Sequence, residues 1–234
     1  IGTCLVGSEM CIRDSANGAN VTMVQRSPTM IVNLEPSAQL PYALYQEGPS
    51  TDDCDLIAIS SPLSVLKKTH QILTKQSKKL DSELLKKLEK IGFVLDYGED
   101  NTGWQFKYLT RGGGYYFNVG ASNLVADKKI KLIQFSDINE FLSDGIIHSS
   151  KKLKYDSFVF ATGYKGQEYM VKKFFGNEVA NKVGRIWNFN SKKQELNNMF
   201  VKTNQQGLWF IAGSLAQCRI FSKYLSFQIS KEIK

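Results

Sequence analysis

Apolar positions along this chain follow two periods, one suited to helices and one to strands, and the switch between them sets the expected order of elements. Val21-Thr22-Met23-Val24 is a short β-branched run and predicts a buried strand; Pro28 closes it, because proline cannot continue a ladder. Residues 31–49 contain three prolines and predict an irregular loop. Thr51-Asp52-Asp53 opens a helix, with acids near the positive end of the helix dipole. Ser61-Pro62 opens another, whose apolar stripe is Leu63, Leu66, Ile72 and Leu73. Asp81 is expected to cap a third, in which Leu84, Leu85, Leu88 and Ile91 recur at helical spacing and Gly92 ends the run.

Beyond that helix the texture changes. Residues 93–97 are a strand candidate, Gly112-Gly113-Gly114 a flexible loop, and Tyr115-Tyr116-Phe117 an aromatic run. From Lys129 onward short strands are expected at 130–133, 146–148 and 158–160, with turns at Asp144-Gly145 and Ser149-Ser150. A last strand at 208–212 leads through Gly213-Ser214 into a helix over 215–233. Strands interleaved with helices predict an α/β fold: two dinucleotide-binding (Rossmann-like) domains, both incomplete, in three layers with parallel sheets. The expected division is a partial first domain over 16–125, with an added helical section, and part of a second over 126–234, joined near Gly120 to Lys129.

Composition narrows the function classes. An apolar fraction of 42% and an aromatic fraction of 12% suit a chain that buries a core. No apolar run approaches the roughly 20 residues of a membrane span, so no membrane is expected as a partner. The net charge of +8 comes largely from lysine pairs such as Lys67-Lys68, Lys78-Lys79 and Lys86-Lys87 on predicted helix faces. These read as a solvated surface, with neither an RNA-binding aromatic signature nor zinc-finger spacing, so no nucleic acid is expected. The four cysteines form no close-spaced pair and the two histidines, His70 and His148, lie far apart. No metal site and a reduced, cytoplasmic setting follow.

Three places carry candidate chemistry. The first is the end of the first strand, Arg26-Ser27. In a dinucleotide unit an acid at this point binds the free 2′-hydroxyl of NAD, whereas an arginine accommodates the 2′-phosphate of NADP. Arginine presents a fork of donors matched to phosphate, and serine adds a hydroxyl. The second is Asp156 through Tyr164, a strand ending in small residues and a glycine, Ala161-Thr162-Gly163, that let backbone approach a planar ligand. The third is Gly207 through Ser214, a strand followed by glycine and a helix start, whose amides can meet an electron-rich edge such as a flavin carbonyl. Each alone also reads as an ordinary surface arginine, strand end or turn.

Taken in order, these segments resemble the flavin-containing monooxygenases, including the plant indole-pyruvate (YUCCA-type) branch and bacterial relatives. Val21 through Ser27 is similar to their NADP-selecting strand end, and Asn118-Val119-Gly120-Ala121 followed by Lys129-Ile130-Lys131 to their return crossing between domains. Phe160 through Tyr164 is similar to their late Phe-Ala-Thr-Gly-Tyr motif, and residues 207–213 to their last flavin-side strand. The resemblance implies NADP and FAD as cofactors, O2 and a small organic molecule as substrates, and the chain as a C-terminal fragment of the enzyme. Arg26 and Ser27 would hold NADP; Ala161, Thr162, Gly163 and Tyr164 would line the dinucleotide cleft; Gly213, Ser214 and Gln217 would face the flavin. No side chain is a convincing acid, base or nucleophile, so no catalytic residue is named. The fragment is expected to lack the FAD glycine turn and to leave its Phe158-Val159-Phe160 edge uncovered. Alternatives are a flavin disulfide reductase, whose redox cysteine pair is missing here, and a non-catalytic basic binding module.

Leu5 through Asp14, LVGSEMCIRD, resembles the translation of a transposase adapter used in sequencing libraries. Residues 1–15 are therefore expected to be non-native and to lack fold-compatible packing at Val6, Met10 and Ile12. The competing reading, that Ile1-Gly2-Thr3 opens a dinucleotide turn, lacks the further glycines such a turn requires.

Overall fold

The computed structural model describes residues 5–190 and 192–233, so Ile1-Gly2-Thr3 and Cys4 lie outside the described residues. In chain order the elements are α1 (Leu5–Ala16), β1 (Thr22–Gln25), β2 (Met30–Asn33), α2 (Ala43–Glu47), α3 (Thr51–Ser60), α4 (Leu63–Leu80), α5 (Ser82–Lys90) and α6 (Gly103–Arg111). They continue with β3 (Tyr115–Asn118), α7 (Ala121–Ala126), β4 (Lys131–Gln134), β5 (Ile138–Leu142), β6 (Gly145–His148), β7 (Lys151–Lys154), α8 (Gln167–Val183) and α9 (Leu215–Ile233). The fold is mixed α/β with small parallel sheets.

The centre of the molecule is the parallel pair β2–β3, in register from Met30↔Tyr115 to Asn33↔Asn118. Alternation sends side chains to opposite faces. Ile31 and its partner Tyr116 face one core with Leu84, Leu85 and Leu88 of α5 and Val125 of α7. Met30 and Val32 face a second core around Trp104 of α6, whose ring meets Phe117 edge-on at 5.0 Å. Because helices cover both faces, β2 is apolar at three consecutive positions rather than alternating. The irregular loop expected over 31–49 is thus corrected: the region holds β2, a 3-10 turn at Ser37–Tyr42 and α2. Its prolines lie beyond β2, and a run of three apolar residues was too short to register as a strand.

A second parallel pair, β1–β4, runs from Thr22↔Lys131 to Gln25↔Gln134. The expected strand forms, and Val21 and Met23 pack against the core, but its burial is corrected: Val24 is 43% exposed, and Gln25 is the buried position. The strand candidate at 93–97 reduces to one parallel bridge, Thr29↔Leu95. Gln25 completes that connection, since its side-chain amide accepts from Val94 N at 2.9 Å and donates to Val94 O at 2.8 Å.

The three predicted helix starts hold, with different chemistry. Ser50 caps α3 by accepting from Asp53 N at 3.3 Å. Pro62 precedes α4, but the buried positions of that helix are Thr74 and Ser77, and Ile72, assigned to the apolar stripe, is 67% exposed. Asp81 stands before α5 without capping it. Its buried carboxylate instead accepts from Asn33 N at 3.0 Å, Asn33 Nδ2 at 2.8 Å and Ser37 Oγ at 2.7 Å. That tie fixes the carboxyl end of β2 to the start of α5.

At 120–129, the expected junction, α7 forms, and its Ala121 and Val125 are fully buried. β4, beyond that junction, pairs back with β1. β5, β6 and β7 make a separate antiparallel sheet, attached to β1 by Tyr155 Oη, which lies 3.2 Å from Thr22 Oγ1. A smaller apolar cluster, Val171, Val183, Ile186, Met199 and Phe200, gathers α8 and the following loops. α9 is held to α3 by Arg219, whose Nε donates to Asp55 Oδ2 at 2.9 Å.

Three further expectations are corrected. Residues 158–160 and 208–212 form no ladder. Their sequence favours strand, but no neighbouring strand pairs with them in register; 208–212 receives single bonds, such as Phe200 N to Phe210 O at 3.0 Å. The packing expected to be absent from residues 1–15 is present in part: the described residues of that stretch lie in α1, in which Ser8 is buried, Cys11 packs on the core and Ile12 Cδ1 comes within 3.9 Å of the Cβ position of Gly120, while the Val6 side chain lies outside the described residues.

Candidate cofactor site

Arg26 and Ser27 follow β1 directly, and Gln25 shapes their turn. The Gln25 amide donates to Ser27 O at 3.2 Å, Thr29 Oγ1 donates to the same carbonyl at 2.9 Å, and Gln134 Nε2 donates back to Gln25 Oε1 at 2.9 Å. The turn backbone is therefore fixed from inside, while the Arg26 guanidinium projects to solvent without an acidic partner among the described residues. An exposed guanidinium without an acidic partner among the described residues, followed in the chain by a serine hydroxyl, is chemically suited to a phosphate dianion.

Ala161, Thr162, Gly163 and Tyr164 are all exposed, Tyr164 at 89%. Gly163 has φ +84°, in the region that favours glycine, and Ala161 N donates to Val159 O at 3.2 Å. The nearest packed neighbour is α1: a Cβ on Gly7 would lie 3.1 Å from Ala161 Cβ.

Gly213, Ser214 and Gln217 do converge, on one another. Ser214 N donates to Gln217 Oε1 at 3.3 Å and Gln217 N donates to Ser214 Oγ at 3.2 Å, a reciprocal capping box at the start of α9. Tyr108 Oη of α6 donates to the same Gln217 Oε1 at 2.7 Å. Gly213 sits at φ +107°, and a Cβ there would lie 2.2 Å from Gln217 Oε1 and 2.8 Å from Tyr108 Oη. Burial pushes the Tyr108 phenol up, and its carbonyl accepts from Trp187 Nε1 at 2.7 Å. Sequence reasoning missed Tyr108; nothing in the chain signals a partnership across more than a hundred residues.

Among the described residues no hydrogen bond, ion pair or ring contact joins these three places. Two cavities lie elsewhere. One of about 10 Å³, room for about one water, is lined by Ser37, His70, Thr74, Ser77 and Trp104 among others. An open groove of about 440 Å³ runs along 59–64 beside Lys193 and Gln194. Neither contains a nominated residue. Arg26 and Ser27 thus offer groups suited to a phosphate. The flavin-side residues do not fit FAD as placed, because the α9 cap groups are spent on one another and no cradle joins them to 161–164.

No family model and no curated protein matches this chain. Among the described residues no helix is long and apolar enough to cross a membrane, and no cluster of three or more His, Cys, Asp or Glu is suited to a metal.

Proposed function

We propose that this chain is part of an NADP- and FAD-dependent monooxygenase, to which it contributes the contact that selects NADP. The observation that carries the reading is Arg26: an exposed guanidinium without an acidic partner, on a braced turn at the end of a parallel strand. In a dinucleotide unit an arginine at such a strand end accommodates the 2′-phosphate that distinguishes NADP from NAD. The order of the motif-bearing segments, from Val21 through Phe160-Ala161-Thr162-Gly163-Tyr164 to Gly213, supports the wider assignment. In that assignment NADP and FAD, when bound, would supply the redox chemistry that couples O2 to a small organic substrate, and the part of this chain would be the Arg26 contact to NADP. The finer architecture, two incomplete dinucleotide-binding domains, belongs to the same proposal. So does a cytoplasmic setting. Since the flavin-side groups form no cradle, no redox step is assigned to a side chain.

Binding of adenosine 2′,5′-bisphosphate against adenosine 5′-monophosphate tests the reading without any flavin. A charge-assisted contact contributes about 1.5–3 kcal/mol, so Arg26→Ala should weaken the bisphosphate roughly 10- to 150-fold and leave the monophosphate unchanged. Equal effects on both ligands, or no preference for the bisphosphate in the parent chain, would overturn it.

A further inference from the structure

β7 stops at Lys154, and Tyr155 N makes the last bond to that sheet, to Asp144 O at 3.1 Å. Over residues 157–164 the main chain then makes a single bond among the described residues, Ala161 N to Val159 O. The side chains are strongly apolar and uncovered: Phe158 is 38% exposed, Val159 60% and Phe160 70%. Phe158 and Phe160 stack at 6.4 Å and 22°, and both rest on Phe141 of β5, at 5.9 and 6.2 Å. The rings therefore form one apolar face continuous with the β5–β6–β7 sheet, and open main-chain donors and acceptors run beside it. That combination is what strand addition uses: main-chain bonds give affinity and alternate side-chain positions give selectivity.

Charge indicates the occupant. Lys151 and Lys154 before the segment are exposed and have no acidic partner among the described residues, while Lys152 is paired with Asp144. After the segment, Lys165 lies 4.2 Å over the Tyr169 ring. Asp156 is the one acid between Tyr155 and Gln167. A second copy of a chain with net charge +8 is repelled from such a surface, whereas an acidic segment is drawn to it.

The geometry points to residues 157–163 as an acceptor edge for an extended segment of another polypeptide, apolar at alternate positions and acidic at its ends, which adds as a β-strand beside Phe158 and Phe160. This surface stands apart from the Arg26 turn, but it shares Ala161, Thr162 and Gly163 with the segment that the resemblance assigns to the dinucleotide cleft, so a bound strand and a cofactor there would exclude each other.

The test uses the full chain and a short synthetic peptide of alternating valine and threonine with glutamate at each end. Amide hydrogen exchange should be fast over 157–163 in the chain alone and slow with peptide bound. Val159→Pro removes a ladder donor from an exposed position and should weaken binding roughly tenfold or more, with exchange in β2 and β3 reporting that the fold is kept. Reversing the flanking charge with Lys154→Glu and Lys165→Glu should transfer preference to a lysine-ended peptide. Binding without protection of these amides, or equal binding by the proline variant, would overturn the strand acceptor. Concentration-dependent protection without peptide would overturn the choice of partner in favour of a second copy.

Discussion

β2 and the segment at 158–160 have similar sequences and opposite fates. Met30-Ile31-Val32 sits beside a proline-rich stretch that reads as loop, yet its residues are 1%, 1% and 0% exposed. Phe158-Val159-Phe160 has the stronger strand composition, yet it forms no ladder and stays open to solvent. What β2 has is a partner in register, β3, and a helical layer on each face, with α5 and α7 below and α6 above. A strand is a property of a pair and its cover more than of a sequence, as the context dependence of β propensity implies.

The largest expected effect tests the buried member of the comparison. Ile31→Ala removes branched carbon from a position 1% exposed between Tyr116 and α5. A loss of about 2–4 kcal/mol of unfolding free energy is expected, read as a lower urea midpoint at constant slope. A loss near zero would mean that β2–β3 is not the centre of the cooperative core.

A pH effect follows from the other face of the same strand. His70 of α4 rests edge-on against Phe106 at 5.4 Å and lines the small cavity beside Met30. Burial pulls its imidazole down from 6.5 to about 4. The unfolded chain therefore takes up a proton below 6.5 that the folded chain refuses until about 4. Stability should be complete above pH 6.5, fall as pH drops from 6.5 to 4, and lose no more from this group below 4. The shift corresponds to roughly 3 kcal/mol. His70→Asn should flatten the profile in that window. Asp96 is separable: burial opposes its ionisation, but the hydrogen bonds from Lys107 and from the Gly98 amide, with the positive charges of Lys107 and Arg111, together outweigh this and hold it below its usual value, so it acts at still lower pH.

How far the sequence reached depends on whether a signal was local. The helix starts at α3 and α4, the apolar spacing of Leu84, Leu85 and Leu88 and the long last helix are local patterns, and they were legible. The role of Asp81 was not, because its partners Asn33 and Ser37 are more than forty residues away. Of the candidate site, Arg26-Ser27 emerges at a strand end as read, and Gly213, Ser214 and Gln217 share a helix start as read. Their meeting with Tyr108, and the failure of 161–164 to join them, depend on tertiary placement that no spacing encodes.

A smaller effect sharpens the contrast at the second unpaired stretch, 208–212, which leads into α9. Ser214→Ala deletes the hydroxyl that accepts from Gln217 N but leaves the Tyr108 contact to Gln217 in place. A helix cap of this kind contributes about 1 kcal/mol. The expected result is faster amide exchange in the first turn of α9, with β2 and β3 unaffected. Equal acceleration in both places would show that the α9 start and the central core unfold as one unit.

The smallest effect belongs to the open segment itself. Phe160 is 70% exposed, and its ring contacts, with Phe141 and Phe158, involve residues that are themselves 46% and 38% exposed. A ring that stays largely in water in the folded chain loses little transfer free energy when removed. Its neighbours can rotate into the vacated space, since no closed cavity is left behind. Phe160→Ser should therefore change unfolding stability by no more than about 0.5 kcal/mol, the range of ordinary surface substitutions, against several times that for Ile31→Ala. The same urea titration measures both. A Phe160→Ser loss comparable to that of Ile31→Ala would mean that 158–160 is covered in solution. The contrast between the two stretches would then be one of partner identity rather than of presence and absence.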